Sequence, residues 1–351
     1  MPVRHRHNRK VTAITALAIT VVAIPSAAGA DLQDGLDNTP SGNADGKSIE
    51  ASVGKPEGVR INYSGNGLGG SGGLTSVDTS WTPPACYYAP MYTPEEYQAH
   101  WAELSREFYS SGWPQDDKDL LRESLEDSYG EKGEYPNYNI EKQGEGMFWQ
   151  VVRNDAYPIE DQLACEYRTF FVEFGDPPPD VPGVVNIATL AELAYEQTRV
   201  PDTDIELNPD GDQTVNLATW VWLDQAAFEP VSVTASLDDY GLWATTTATP
   251  TTLTIEPGTS DARLHPASGE CAVGGDGSIG EPYSRGRSGE EPPCGVTYLR
   301  ATHATGSYGL TASLTWEISW EGSDGSGASL PSGVFETTHE ITVSEVQAIV
   351  R

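Results

Sequence analysis

The sequence predicts an α+β module followed by an all-β sandwich, both carried behind a flexible N-terminal tether. Three observations predict this. Residues 308–321, YGLTASLTWEISWE, alternate without a break: Tyr308, Leu310, Ala312, Leu314, Trp316, Ile318 and Trp320 are apolar, and every other residue is Gly, Thr, Ser or Glu. Successive side chains of a strand point to opposite faces, so one face of this stretch is buried and the other wetted, as in an antiparallel sheet. Thr93-Pro94-Glu95-Glu96 reads as a helix start, with a capping threonine, proline at the first helical position and glutamate at the third. SGNGLGGSGG at 64–73 has a composition that buries too little apolar surface to offset chain entropy.

Residues 1–30 read as a secretory signal: Arg4, Arg6, Arg9 and Lys10, then an apolar run at 11–24, then Ala28-Gly29-Ala30 as a cleavage site. The mature chain is expected to begin at Asp31, to be secreted, and not to insert in a membrane, because no later stretch approaches the length of a span. No cysteine stands at the end of the signal and no hydrophobic tail follows LPSG at 330–333, so neither lipid nor sortase anchoring is expected. Cleavage leaves 16 basic residues against 52 acidic ones, a charge of −36. Such a field repels phosphate-bearing partners and excludes nucleic acid and anionic lipid. Four cysteines in an exported chain read as disulfides. Of three possible pairings, proximity and the module boundary favour Cys86 with Cys165 and Cys271 with Cys294. No CxxC suggests zinc or thiol redox chemistry.

The tether runs over 31–80, with one short candidate strand at 48–53. The glycines of 64–73 are followed by no Lys-Ser/Thr, so a phosphate loop is not indicated there. The α+β module covers 81–207. After the Thr93 cap, Tyr97, Trp101, Leu104 and Phe108 follow at helical spacing. A second helix is predicted over 114–129, with a thin apolar face of Leu121 and Leu125. Extended runs at 147–152 and 165–174 end at the triple proline 177–179. A third helix is predicted to begin at Thr189, boxed with Glu192, and to stop before Pro201. The sequence NPDGD at 208–212 lacks calcium-loop spacing and reads as a turn between modules. From 213 to 351 the chain is a series of strands, at 215–223, 231–237, 242–255, 295–299, 308–321 and 335–343, with DGSG at 324–327 as a hairpin turn. Residues 272–293, bracketed by Cys271 and Cys294, form an excursion too polar to be core.

VNLATWVWLD at 215–224, TTTATPTTLTI at 245–255, the Cys271–Cys294 loop leading into CGVTY, TASLTWEISW, SEVQAIV near the end, and ACYYAP followed by YTPEEY at 85–97 resemble a group of secreted actinobacterial proteins of unknown function. The likeness runs from Trp81 to the C-terminus. It implies a PKD-like, immunoglobulin-like C-terminal sandwich and a role at the envelope or outside the cell. It supplies no catalytic residues.

Trp220 and Trp222 share one strand face, as do Trp316 and Trp320, so these four are the candidate ligand-binding residues: an exposed aromatic row stacks on sugar rings. The competing reading places them in the core. The G-x-S-x-G pattern falls only at 69–73, inside the glycine-rich tether and not at a strand-to-helix elbow; no H-E-x-x-H cluster occurs, and His100, His265, His303 and His339 are scattered. Paired carboxylates carry no weight in a chain with 52 acids. The sequence reading is therefore an exported, non-catalytic binding or structural protein without a cofactor, its partner an envelope protein or glycan. The alternatives are an extracellular hydrolase with its site in the middle module, and a carbohydrate-binding module.

Overall fold

Residues 308–321 form the strand their alternation demands, in the interior of the largest sheet. The computed structural model describes residues 59–346 apart from 155, 202–203, 224–227, 276 and 304–305. The signal, the first part of the tether with its candidate strand, and the last five residues lie outside the described residues.

In chain order the first half contains β1 (Asn62–Ser64), β2 (Gly72–Gly73), β3 (Thr75–Ser76), β4 (Cys86–Tyr92), helices α1 (Pro94–Ser110) and α2 (Gln115–Tyr129), β5 (Gly146–Arg153), the single turn α3 (Ile159–Gln162), β6 (Thr169–Glu173) and α4 (Ile187–Gln197). Next come β7 (Arg199–Val200), β8 (Glu206–Asn208), β9 (Gln213–Thr214), β10 (Ala218–Leu223), β11 (Val231–Leu237), β12 (Leu242–Glu256) and β13 (Ala262–His265). The chain closes with β14 (Glu270–Ala272), β15 (Ile279–Gly280), β16 (Gly295–Tyr298), β17 (Tyr308–Gly322), β18 (Gly327–Ile341) and β19 (Val343–Ser344). The fold is mixed α/β with several antiparallel sheets: a seven-stranded sheet ordered β1-β11-β12-β17-β18-β3 with β14 on β12, a five-stranded sheet of β13-β16-β10-β15 with β8 on β10, and a three-stranded sheet β4-β5-β6.

One face of the seven-stranded sheet supports two cores. Along β17, Tyr308 to Ile318 pack with Leu253 and Ile255 of β12 against Val221, Leu223 and Val296 of the five-stranded sheet. Val233, Ala235 and Ala244 pack instead against Leu190, Ala191 and Ala194 of α4 and against Trp149 and Val151 of the three-stranded sheet. Residues from 81–207 and from 213–351 thus interlock in the second core. The cover changes beside Trp316. There, both neighbours of β17 slip register, β12 between Pro250 and Thr252 and β18 between Gly333 and Leu330. An extra residue bends its strand. The β12 bulge also explains why its buried positions pass from even (Ala244, Thr246, Ala248) to odd (Leu253, Ile255) without leaving that face.

The α1 start forms as predicted: Thr93 accepts from the Glu96 N–H and Glu96 returns a bond to the Thr93 N–H. Tyr97 is fully buried, stacks on Phe148 at 4.2 Å, and its hydroxyl lies 2.7 Å from that of Tyr129. These contacts tie both helices to the three-stranded sheet. Their far ends are solvated, with Leu104 40% exposed and no buried residue in α2.

Three expectations need correction. Residues 59–80 are not a tether: β1 pairs with β11, β2 with β7 and β3 with β18, and Val59 and Ile61 are buried. The glycines there permit close approach. A Cβ on Gly65 would lie 2.1 Å from the Ser232 carbonyl oxygen, and one on Gly72 would lie 2.6 Å from the Phe335 ring. Helix α4 begins two residues before Thr189, capped by Asn186, whose side chain accepts from the Thr189 N–H. The excursion at 272–293 reaches the core, because β15 pairs with β10 and Ile279 is fully buried. Strand β4 was not anticipated: Tyr87, Tyr88, Ala89 and Pro90 are all buried, so no alternation marks it.

The disulfides pair as expected, Cys86 with Cys165 and Cys271 with Cys294, with no free cysteine. They place the folded chain in an oxidising, extracytoplasmic environment. Among the described residues no helix is long and apolar enough to cross a membrane.

Candidate functional site

The four candidate tryptophans part company. Trp316 is fully buried in the first core. Trp220 is 1% exposed, but on the outer face of the five-stranded sheet, sealed by the Cys271–Cys294 excursion: the Arg287 guanidinium lies 4.2 Å from its ring centre and Tyr283 meets it edge-on at 5.7 Å. Arg287 is itself held by Glu281 at 2.8 Å and Glu290 at 2.7 Å. Trp222, in the same strand, is half-buried opposite Gly280 and Glu206. Trp320 is half-buried and lines a surface groove. One member of each strand pair is sealed, so neither pair presents an exposed aromatic row.

The triple proline separates two clefts. The larger, about 660 Å³, lies in the middle module beside β6 and is lined by Glu134, Tyr135, Lys142, Phe171, Glu173 and Asp176 among others. It holds one ion pair and a backbone turn. Lys142 Nζ lies 2.7 Å from Glu173 Oε1, and the Asp176 N–H donates to the Glu173 carbonyl at 3.1 Å. Burial, then the adjoining Glu134 carboxylate, pushes the Tyr135 phenol up.

The smaller groove, about 510 Å³, lies between the prolines, the start of α4 and the β17–β18 hairpin. Its apolar wall is Pro178, Pro179, Val181, Ile187, Leu242 and Trp320; its polar groups are Asp180, Asn186, Asp324 and Ser326. The local sequence builds each part. Proline has no N–H to pair, so 177–179 run as an extended surface segment. The DGSG turn forms at the hairpin, where Asp324 Oδ1 accepts from the Ser326 N–H at 2.8 Å, and these Ser326 bonds hold its carboxyl below the usual range. Gly322 lets α4 come close: a Cβ there would lie 2.2 Å from Ile187 Cγ2 and 3.2 Å from the Trp320 ring.

Asp324 and Ser326 bond each other, but two other polar groups of the groove stay free. Asn186 spends its Oδ1 on the Thr189 N–H at 3.0 Å, and among the described residues its Nδ2 has no protein partner. Asp180 makes no hydrogen bond or ion pair with any described residue. The Trp320 ring stacks on no other described aromatic ring, and no lysine or arginine lines the groove. Such an arrangement accepts hydrogen bonds beside a flat apolar surface.

Sequence reasoning found Trp320 and the Asp324 turn but missed Asp180 and Asn186. Asn186 carried a usable signal, a strong capping residue directly before an apolar helical run; Asp180 carried none.

The histidines lie apart. His100 stacks on Tyr92 at 4.9 Å, His265 is buried 3.0 Å from the Thr297 hydroxyl, His303 is exposed and His339 lies in β18. Among the described residues no three His, Cys, Asp or Glu side chains are grouped to hold a metal ion. No protein-family profile, curated protein or solved structure matches this sequence.

Proposed function

We propose that the chain is an exported, non-catalytic binding protein of the cell envelope or extracellular space, released by cleavage near Ala30, and that it binds through the Trp320 groove. One observation carries the reading: the groove offers unpaired Asp180 and Asn186 groups beside an unstacked indole, while in the larger cleft Glu173 is taken up by Lys142. The reading includes the proposal that the two sheets sharing the Trp316 core are a PKD-like, immunoglobulin-like sandwich, as in the secreted actinobacterial proteins the sequence resembles.

A second reading, an extracellular hydrolase, draws on the placement of Glu134, Glu173 and Asp176 in the larger cleft. The Lys142–Glu173 ion pair counts against it, because that carboxylate is occupied as a counter-ion rather than poised as an acid or nucleophile. Two measurements separate the readings. Immobilised mature protein should retain a component of the source envelope fraction, and Trp320→Ala should abolish the retention. Mature protein should leave cell-wall glycan, casein and simple esters intact. Turnover of any of these that disappears in Glu134→Gln or Glu173→Gln would replace the binding reading with the hydrolase.

A further inference from the structure

We infer that the ligand of the Trp320 groove is a neutral saccharide. The inference rests on the binding-protein reading and names the chemistry its site accepts. A pyranose ring has two faces of opposite character from its rim: C–H bonds above and below, hydroxyls around the edge. An indole face carries negative quadrupolar charge and attracts the positive edges of C–H bonds. Trp320 supplies such a ring, half-buried at the end of β17 and stacked on no other described aromatic, with Pro178, Pro179 and Leu242 continuing the apolar wall. The hydroxyl rim needs acceptors and a donor at the border of that wall. The Asp180 carboxylate accepts and the Asn186 Nδ2 donates.

Charge selects within the class. The lining holds two carboxylates and no cation, in a chain whose formal net charge is −32 before processing. Uronic, sialic and phosphorylated sugars would meet repulsion with no cation to offset it, so uncharged sugars, N-acetylated ones included, are the matching class. The groove's open form suits an internal stretch of a chain as well as an end. A peptide is the competing occupant. The free groups are side-chain acceptors on a rim rather than an unpaired strand edge, which favours hydroxyls over a peptide backbone.

The test uses the full mature chain and calorimetric titration with cellotetraose, mannotetraose and chitotetraose (the N-acetylglucosamine tetramer), with tetragalacturonate as the anionic control. At least one neutral tetramer should bind saturably, and tetragalacturonate should not. Trp320→Ala should weaken binding about tenfold or more, and Asp180→Asn several-fold, by loss of a stacking surface and a charged acceptor. Asp180 is exposed, so its variant keeps the test valid if Trp320→Ala fails to fold. Trp222→Ala should bind as the parent does. Failure of all three neutral tetramers to bind, or affinity unchanged in both groove variants, overturns the saccharide. A parallel retention assay separates this failure from that of the binding reading. Envelope material that binds in a Trp320-dependent way, is destroyed by protease and survives periodate defeats the saccharide and leaves the binding protein standing. No retention at all defeats both.

Discussion

Trp316 and Trp320 stand four residues apart on the same face of one strand, yet one is sealed in a core and the other borders an open groove. The two ends of the seven-stranded sheet differ in what covers them. Over Tyr308 to Trp316 the cover is a second sheet, which lays a continuous surface of Val221, Leu223 and Val296 across the strand. Over Ala244 and Trp320 the cover is one helix and the small three-stranded sheet. Sheets tile a flat face; a single helix leaves its flanks open. Alternation therefore fixes which face a residue occupies, while burial depends on the width of the element laid over it, and a binding groove forms where that width runs out.

Cross-links offer the largest test of this contrast. Cys86–Cys165 closes a separation of 79 residues in the helix-covered half, and Cys271–Cys294 one of 23 in the sheet-covered half. Loop entropy assigns upper values of about 4.5 and about 3.5 kcal/mol respectively. Urea unfolding of the two Cys→Ala double variants should show the first as the more damaging. The reverse order would mean that the helix-covered half depends less on its cross-link than its thin cover implies.

The tryptophans come next. Trp316→Ala should cost about 3–5 kcal/mol, the usual loss for emptying a fully packed aromatic site. Trp320→Ala should cost roughly 1–2 kcal/mol, since a half-buried ring surrenders only part of its transfer free energy. Equal losses in equilibrium unfolding would show the groove wall to be core, and the contrast between the two ends would disappear.

The strands were legible because their period is two, and each Leu or Ile of 308–321 declares its side. The β12 bulge escaped notice because one inserted residue reverses the parity, so Ala248 and Leu253 look like different faces in sequence. Segment 64–73 was misread for a deeper reason. Glycine is chosen both where a chain must stay loose and where two backbones nearly touch, and composition does not distinguish them. Only the 2.6 Å from a Gly70 Cβ to the Val200 carbonyl oxygen identifies the second case. Of the groove, Trp320 was visible from its neighbours in sequence. Asp180 and Asn186 reach it only through the docking of α4 on the sheet, which no local pattern encodes.

The smallest effect is a dependence on pH that should divide unequally between the two halves. His265, in the sheet-covered half, is buried against Thr297, and burial lowers its pKa; Glu291 acts to raise it and Arg263 to lower it further. His100, in the helix-covered half, is lowered too, by burial opposed by Glu103, but it is only half-buried against Tyr92. A lowered folded value means that the unfolded chain binds protons first. The contribution is therefore complete above about pH 6.5 and is lost as pH falls through that value toward the folded one. The Tm should drop between about pH 7.5 and pH 5.5, before most carboxylates protonate. His265→Gln, whose amide keeps a bond to the Thr297 hydroxyl, should flatten that drop more than His100→Gln does. A slope that only the His100 variant removes would place the more tightly packed histidine under the helix, and would invert the order of cover from which the groove was derived.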